Sequence, residues 1–213
     1  MEAYLDNSAT TRVDTQVQEL MKKLMDVDFG NPSSRHQKGV VAEGYIKEAR
    51  QKIAATLKVD PKELIITSGG TESNNMALIG TALAAKRKGN HIITTAVEHP
   101  SVKATASFLE EQGFRITFLS VDSRGQISLE DLKEALTPDT ILLLIMYVNN
   151  EIGTIQPVEE AAKLVHATVP GAVFHVDAIQ AYGKVMIRPK QQGIHLLSVS
   201  SHKFHGPKGA GFL

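Results

Sequence analysis

The chain has 213 residues, of which 42% are hydrophobic and 22% charged, and its 23 basic residues balance its 23 acidic ones. This composition excludes a disordered chain and gives no sign of a nucleic-acid-binding surface. There is no cysteine, so disulfides, thiolate metal sites and a cysteine nucleophile within these residues are excluded, and no metal site is predicted. No signal peptide opens the chain and its longest apolar run, residues 141–146, is too short to span a bilayer, so we expect a cytoplasmic protein without membrane contact.

Helical and extended patterns alternate along the chain. Apolar residues recur at helical spacing over 15–27 and 41–57. Later helices are expected at 101–112, at 128–136 and at 157–169, the last beginning with Pro157 at its first helical position. Between the helices, short apolar runs predict buried strands at residues 64–66, 91–95, 116–119, 141–148, 173–176 and 196–199, and a seventh at 209–213.

The strands are continuously apolar rather than alternating, which is typical of a sheet that is covered on both faces. The sequence therefore predicts an α/β fold: a mostly parallel, seven-stranded sheet with helices on both faces. We expect one domain over residues 1–213, with an N-terminal helical segment over 1–60. Ligands of such sheets gather at the carboxyl ends of the strands, and the polar clusters of this sequence follow its strands.

The first polar cluster, residues 67–75, contains Gly70 and Thr71 between a strand and a helix. Glycines let the backbone approach an anion, and the N-terminus of a helix offers free N–H groups to a phosphate. A plain strand-to-helix turn with a threonine cap is the alternative. The cluster matches neither the P-loop nor the dinucleotide-binding fingerprint.

Two further clusters carry a histidine and an asparagine. His99, in the string Glu98-His99-Pro100-Ser101, can stack on a ring or move protons near neutral pH. Asn150, within residues 148–154, can hydrogen-bond a ligand ring or a carboxylate. Taken alone, such a histidine is more often structural or a helix-start residue, and Asn150 is equally part of a polar turn closed by Gly153.

Asp177 ends an apolar run, where an unpaired carboxylate is costly. A protonated pyridine nitrogen would be a suitable partner, and Gln180, three residues later, could reach an oxygen on the same ring. The alternative is that Asp177 caps a helix.

Lys203 follows the strand at 196–199 and lies among hydroxyls and histidines, in the string Ser198 to Gly209. A partly desolvated amine among cations has a lowered pKa, which suits Schiff-base chemistry. The alternative is a solvated lysine in a Gly-Pro turn.

In their order along the chain, these clusters resemble the class V aminotransferase branch of the fold-type I pyridoxal 5′-phosphate enzymes. Their amino-acid strings are similar to those of the cysteine desulfurases of iron–sulfur-cluster assembly and nitrogen fixation. The resemblance covers essentially the whole chain. The strings that carry it are residues 4–11, 31–39, 68–75, 149–157, 175–181 and 200–209.

The resemblance implies a role for each matching residue. Lys203 would bind pyridoxal 5′-phosphate as a Schiff base and move protons at the substrate Cα, and His99 would stack on the ring and assist proton transfer. Asp177 would pair with the ring nitrogen and Gln180 with the ring oxygen. Asn150 would lie beside ring and substrate. The phosphate would be held by Gly70, Thr71, Ser200 and His202.

The implied reaction converts L-cysteine to L-alanine and transfers its sulfur, through a persulfide on an enzyme cysteine, toward iron–sulfur-cluster or thio-cofactor synthesis. The implied partners are a second copy of the chain, in a homodimer, and a sulfur-acceptor or scaffold protein. Members of the family continue beyond the stretch that matches this chain. The continuation carries the persulfide-forming cysteine, the arginine that grips the substrate carboxylate and a phosphate-contacting residue donated across the dimer.

The C-terminal small domain is therefore expected to be absent from this chain, and the chain is expected to be inactive alone. A truncated gene, a fragment and one half of a split enzyme remain open. Two other functions also remain open: a truncated non-catalytic cofactor-binding or assembly fragment, and another class V enzyme such as a selenocysteine lyase or an aminotransferase. The isolated chain should expose apolar surface and self-associate.

Overall fold

A computed structural model of the protein describes residues 3–213. Six α-helices lie in this part of the chain: α1 (Thr15–Asp26), α2 (Gln37–Leu57), α3 (Gly70–Ala85), α4 (Pro100–Glu111), α5 (Leu129–Ala135) and α6 (Val158–Thr168). Seven strands accompany them: β1 (Ile66–Thr67), β2 (His91–Thr95), β3 (Arg115–Leu119), β4 (Thr140–Met146), β5 (Val173–Asp177), β6 (Leu196–Ser200) and β7 (Gly211–Phe212).

The seven strands form one sheet in the order β1-β7-β6-β5-β4-β2-β3. Strands β6, β5, β4, β2 and β3 are parallel, whereas β7 runs antiparallel to both of its neighbours, β1 and β6. The predicted α/β fold with a mostly parallel seven-stranded sheet is confirmed. Every residue of β4 is buried, as expected for a central strand covered on both faces.

Helices cover both faces of this sheet. On one face, α3 and α4 pack against β2 and β4 through an apolar layer that includes Leu78, Leu109 and Leu142. On the other face, the layer is formed with α2, α5 and α6 and includes Leu132 and Phe174. Because side chains alternate along a strand, the other residues of β5, including its last, face α3. The carboxyl end of β5 therefore lies beneath the beginning of α3.

Three of the differences between the observed element boundaries and the sequence predictions have a clear local reason. Strand β1 covers only Ile66–Thr67, after a 3₁₀ turn at Pro61–Glu63, although a strand was predicted at 64–66. Helix α2 begins at Gln37, four residues before the predicted start. The prediction missed this turn because Gln37 and Lys38 are polar and the apolar period begins later. Helix α6 begins after Pro157, whose ψ of 65° is not helical, so this proline occupies the N-cap position instead of the first helical one.

Helix α1 lies on the outside of the molecule. None of its side chains is buried, and Leu20 and Met25 are 44% and 72% exposed. Val27 and Phe29, which follow the helix, are also exposed. This end of the chain therefore presents apolar surface to solvent, as the sequence predicts.

Within residues 3–213, no helix has the length and apolar character needed to cross a membrane.

Candidate functional site

A cavity of about 520 Å³ opens at the carboxyl ends of β4, β5 and β6, beside the first residues of α3 and α4. All nine residues predicted to form a cofactor site line it: Gly70, Thr71, His99, Asn150, Asp177, Gln180, Ser200, His202 and Lys203. Residues that are far apart in the sequence thus meet at one place. This is the edge of the sheet where ligands of parallel folds bind.

The beginning of α3 forms one wall of the cavity. Gly69 precedes the helix with a φ of +148°, a conformation open to glycine and strained for other residues. A Cβ on Gly70 would collide with the side chain of Ile179. The amide of Ser73 donates to the Gly69 carbonyl at 3.1 Å, so the amides of Gly70 and Thr71 precede the helical ladder. Free amides at a helix N-terminus favour an anion at this wall.

Ser200 and His202 stand beside that wall at the end of β6. His202 Nδ1 lies 3.2 Å from the hydroxyl of Thr10. Burial lowers the pKa of His202, and the charges of Lys203 and Lys208 lower it further. A neutral imidazole and a serine hydroxyl can both hydrogen-bond an anion without adding a charge of their own.

Asp177 lies on the floor of the cavity and is 4% exposed. Its Oδ1 accepts from the Ile179 amide at 3.0 Å and its Oδ2 from Asn74 Nδ2 at 2.8 Å. Burial raises the pKa of Asp177 against these two hydrogen bonds. Within residues 3–213, no cation forms an ion pair with this carboxylate. Asp177 starts a turn rather than a helix, so the alternative of a helix cap does not hold here.

Lys203 projects into the cavity from a 3₁₀ turn, Ser201–Lys203, that follows β6. Its Nζ donates to the backbone carbonyls of Ser8 and, at 2.8 Å, Ala9. Burial lowers the pKa of Lys203, and the nearby charge of Lys184 lowers it further. This is the environment that the sequence predicts for a nucleophilic amine.

Gln180 and Asn150 complete the predicted set. Gln180 Nε2 donates to the Ser8 carbonyl at 2.8 Å, and its Oε1 accepts from Lys184 at 3.3 Å. Asn150 Nδ2 donates to the carboxylate of Glu151. The N-terminal segment around Ser8 therefore shares this cavity with both the amide and the lysine, a contact that the sequence does not predict.

His99 is the N-cap residue of α4 and lines the cavity. Its Nδ1 accepts from the amide of Ser101 at 3.1 Å and lies 2.9 Å from the Ser101 hydroxyl. The histidine thus has a structural role in starting the helix and also faces the site, so the two alternatives raised by the sequence both apply.

Two buried residues beside the cavity were given no role by the sequence reasoning. Asn74 is completely buried and binds Asp177 directly. Glu98 is 3% exposed, and its Oε1 accepts from Thr95 and, at 2.9 Å, from the Met146 amide. Burial raises the pKa of Glu98 to about 8. The available signal was their position: Asn74 lies in the polar run that opens α3, and Glu98 follows shortly after the buried strand β2.

Among the side chains that the structure describes, no group of three or more His, Asp or Glu residues is arranged to hold a metal ion.

Comparison with known proteins places this site in a family. The sequence profile described as aminotransferase class-V matches residues 3–213. The chain belongs to the class-V aminotransferase family. Members of this family are pyridoxal 5′-phosphate-dependent.

Relatives agree in both sequence and structure. A cysteine desulfurase IscS of Dictyoglomus turgidum is 50% identical over 212 residues, 100% of this chain and 53% of that protein. A solved structure named NifS-like protein aligns with a TM-score of 0.97 at 42% identity, covering 100% of this chain and 58% of that one. A structure named SspA in complex with cysteine aligns with a TM-score of 0.94 at 40% identity, covering 99% of this chain and 60% of that one. The chain spans about half the length of the curated relatives it matches.

The residues present fit the family's cofactor. A buried carboxylate without a cationic partner, Asp177, suits a protonated ring nitrogen, which would supply the missing charge. The free amides at the start of α3 suit a phosphate. Lys203, with its lowered pKa, suits attack on a carbonyl group. These three features line one cavity.

Proposed function

We propose that this chain is the cofactor-binding part of a pyridoxal 5′-phosphate-dependent cysteine desulfurase, which converts L-cysteine to L-alanine and passes the sulfur on for iron–sulfur-cluster or thio-cofactor synthesis. Residues 1–213 would form its large domain, with an N-terminal helical segment over 1–60. The observation that carries the proposal is the single cavity that holds Lys203, Asp177 and the beginning of α3 together. The names of the relatives support the choice of reaction.

Each wall of the cavity has its own part in this proposal. Asp177 pairs with the ring nitrogen, and Gln180 hydrogen-bonds the ring oxygen. Asn150 lies beside ring and substrate. The phosphate is held by the α3 amides and by three further side chains: Thr71, Ser200 and His202. When bound, pyridoxal 5′-phosphate supplies an acceptor for the electrons released at the substrate Cα.

Lys203 and His99 carry the catalytic part. Lys203 would hold the cofactor through its amine, and the same amine, when free, would take the proton from the substrate Cα. Its lowered pKa favours the unprotonated amine that this step needs. His99 stacks on the ring and assists proton transfer. The sulfur then needs a thiol that these 213 residues do not contain, so the chain works with a cysteine supplied by another segment or subunit.

The experiment that tests the proposal has two stages. In the first, the chain is mixed with pyridoxal 5′-phosphate, reduced with borohydride and digested. Mass analysis should find the cofactor on the peptide containing Lys203, and Lys203→Ala should abolish that labelling. In the second, a full-length relative carrying these 213 residues is assayed for alanine and sulfide from L-cysteine, with and without the same substitution.

Lys208→Ala is the matched control for labelling, because this exposed lysine lies five residues away in the same loop. It should label as the unmodified chain does. Cofactor spread over many lysines would contradict the site, and a loaded full-length enzyme that releases neither product would contradict the reaction.

A non-catalytic role is the second candidate, favoured by the missing thiol. In that case the chain binds the cofactor or assists assembly without turnover, and the labelling stage succeeds while the assay stage fails. Selenocysteine lyase or aminotransferase activity would instead appear in the same full-length enzyme with selenocysteine or with an amino-group acceptor.

The remaining parts of the proposal concern the partners and the compartment. A homodimer and a sulfur-acceptor or scaffold protein follow from the family resemblance. A shallow groove beside the site, between α3 and α4, exposes Phe108 and suits contact with a second copy. The cytoplasmic location expected from the sequence stays a prediction, which cell fractionation would test.

A further inference from the structure

A row of hydrogen-bonded side chains, buried at Asp177 and Asn74 and open to solvent at His99, connects the floor of the cavity to its histidine. Asn74, on α3, is completely buried and uses both hydrogens of its amide. One hydrogen bonds Asp177 Oδ2 at 2.8 Å, and the other bonds the Ser101 hydroxyl at 3.2 Å. That hydroxyl lies 2.9 Å from His99 Nδ1. These four side chains, of Asp177, Asn74, Ser101 and His99, form one continuous path from carboxylate to imidazole, which we call the relay.

The directions of these hydrogen bonds are fixed by elementary chemistry. Asn74 presents its nitrogen to Asp177 Oδ2, which is the arrangement that an ionised carboxylate requires because it can only accept. The backbone amide of Ser101 can only donate, so His99 Nδ1 must accept from it. The Ser101 hydroxyl accepts from Asn74 and has its single proton left for the same Nδ1. A neutral His99 therefore carries its ring proton on Nε2.

Asn74 also bears a cost for this arrangement, since its Oδ1 is buried without a hydrogen-bond partner among the described residues. A buried amide with an unpaired oxygen destabilises the folded state. An apolar residue would suit its helix better, as Ala77 and Leu78 do one turn later. The cost points to a role in orienting the site.

We propose that Asn74 is a positioning residue that couples Asp177 to His99 through Ser101 and adds to the preference, set first by the Ser101 amide, for the His99 tautomer protonated on Nε2. The significance for catalysis rests on the proposed function, whereas the coupling itself does not. Because His99 lines the cavity and its Nδ1 is hydrogen-bonded to Ser101, its Nε2–H is the donor available to a ligand in the cavity. Asn74 thereby orients both the ring-nitrogen partner and the stacking histidine.

The direct test reads the ring nitrogens of His99 in the cofactor-free chain. Two-bond ¹H–¹⁵N correlation spectra, recorded well above the ordinary pH range of imidazole protonation, report the ratio of the two tautomers. His99→Gln identifies the signals among those of the eight histidines. The unmodified chain should show mainly the Nε2–H form. In Asn74→Ala, the ratio of Nε2–H to Nδ1–H should fall about threefold or more, although residue 74 does not touch the ring.

Asn75→Ala is the matched control, since it makes the same change one position along α3, where the amide bonds Thr105 instead of the relay. It should leave the tautomer ratio unchanged. An unchanged ratio in Asn74→Ala, or an equal change in Asn75→Ala, would overturn the proposal. If Asn74→Ala does not fold, Ser101→Ala decides, because it removes only the middle hydroxyl and should lower the same ratio; an unchanged ratio there refutes the relay.

Cofactor binding supplies a second reading. The dissociation constant of pyridoxal 5′-phosphate should rise about tenfold in Asn74→Ala, since Asp177 loses one of its two donors. In the double variant with Ser101→Ala, the loss should be smaller than the product of the two single effects. Multiplicative effects would refute the coupling. Absence of any cofactor binding by the unmodified chain would refute the proposed function, while the tautomer ratio still tests the relay.

Discussion

Two buried carboxyl groups, Asp177 and Glu98, lie at the same edge of the sheet, and their hydrogen bonds differ. Asp177 accepts hydrogen bonds through both of its oxygens and faces the cavity. Glu98 accepts through Oε1 only, and its Oε2 is buried without a partner among the described residues. Burial and the negative charge of Asp177 both raise the pKa of Glu98, to about 8. Near neutral pH, Glu98 is therefore mainly protonated.

The raised pKa of Glu98 predicts a pH-dependent stability. An unfolded glutamate loses its proton near pH 4.5 and the folded one near pH 8, so the folded state is favoured below pH 4.5 and loses this advantage as pH rises to 8. The slope reaches about 1.4 kcal/mol per pH unit. In Glu98→Gln this loss should vanish, because glutamine keeps the two accepted hydrogen bonds and does not titrate. Urea unfolding of both proteins between about pH 5 and pH 8, roughly the range between the two pKa values, measures the difference in the pH dependence of stability.

Glu110→Gln, on the exposed side of α4, is the matched control and should keep the slope of the unmodified protein. The buried His91 and His175 have pKa values lowered by burial to about 4 and about 3. They contribute the opposite slope below pH 6.5, but equally in both variants, so the comparison cancels them. Identical slopes in Glu98→Gln and the unmodified protein would show that Glu98 is already charged when folded.

At this scale, the sequence predicts a residue well when its position along a strand decides its surroundings. Asp177 and Lys203 follow apolar runs, and strand ends converge at one edge of the sheet. The role of Asn74 was not predicted, because it depends on which of the neighbouring polar residues in the first turns of α3 faces β5, and the sequence does not define that rotation. The contact of Ser8 with Lys203 was not predicted, because it joins residues at opposite ends of the sequence through a backbone carbonyl.

Among the secondary-structure elements, helix α3 carries the most function, because its first turn faces the cavity and its second supplies Asn74. Its start depends on the backbone of Gly69. A Cβ on Gly211 of β7 would lie only 2.7 Å from the Cα of Gly69. The turn and the strand thus pack backbone to backbone. Side chains larger than hydrogen would separate α3 from the sheet.

Gly69→Ala should therefore destabilise the protein by about 1–3 kcal/mol, the cost of a residue held at a φ reserved for glycine. It should also weaken binding of pyridoxal 5′-phosphate about tenfold or more, since the amides of the first turn move. Gly80→Ala, in the same helix with nothing within 4 Å of the added carbon, should instead stabilise by about 0.5–1 kcal/mol. Thermal unfolding and cofactor titration measure both. Equal effects of the two substitutions would contradict this role of Gly69.

The elements that sequence reasoning located best are the central parallel strands. The prediction for β2 matches its observed bounds, and β4 and β5 differ by one or two residues at an end. Their apolar runs are continuous because both faces are buried. Strand β1 was located less well: Ile65 and Ile66 are both about half exposed, so burial does not mark its limits, and its pairing depends on a strand far along the chain.

For the molecule as a whole, the apolar surface of α1 predicts self-association. Met25→Lys should weaken that association about tenfold or more, because burying one such side chain contributes roughly 1.5–3 kcal/mol. Sedimentation velocity over a range of concentrations measures the change. Lys22→Gln, an exposed change on the same helix, should leave association as it is. A monodisperse monomer at all concentrations would contradict the expectation.

The antiparallel strand β7 has a consequence for how the protein is made. Strand β1 leads directly into the glycine turn before α3, and its hydrogen-bonding neighbour in the sheet is β7, where Ile66 pairs with Phe212. The ribosome delivers residues 66–70 early, but the strand that holds them in place emerges only after all the others. Strand β1 and the glycine turn after it therefore gain their partner in the sheet only when β7 is available. We expect a nascent chain to pair its central strands before this turn, and the proposed phosphate site beside it, reaches its final position.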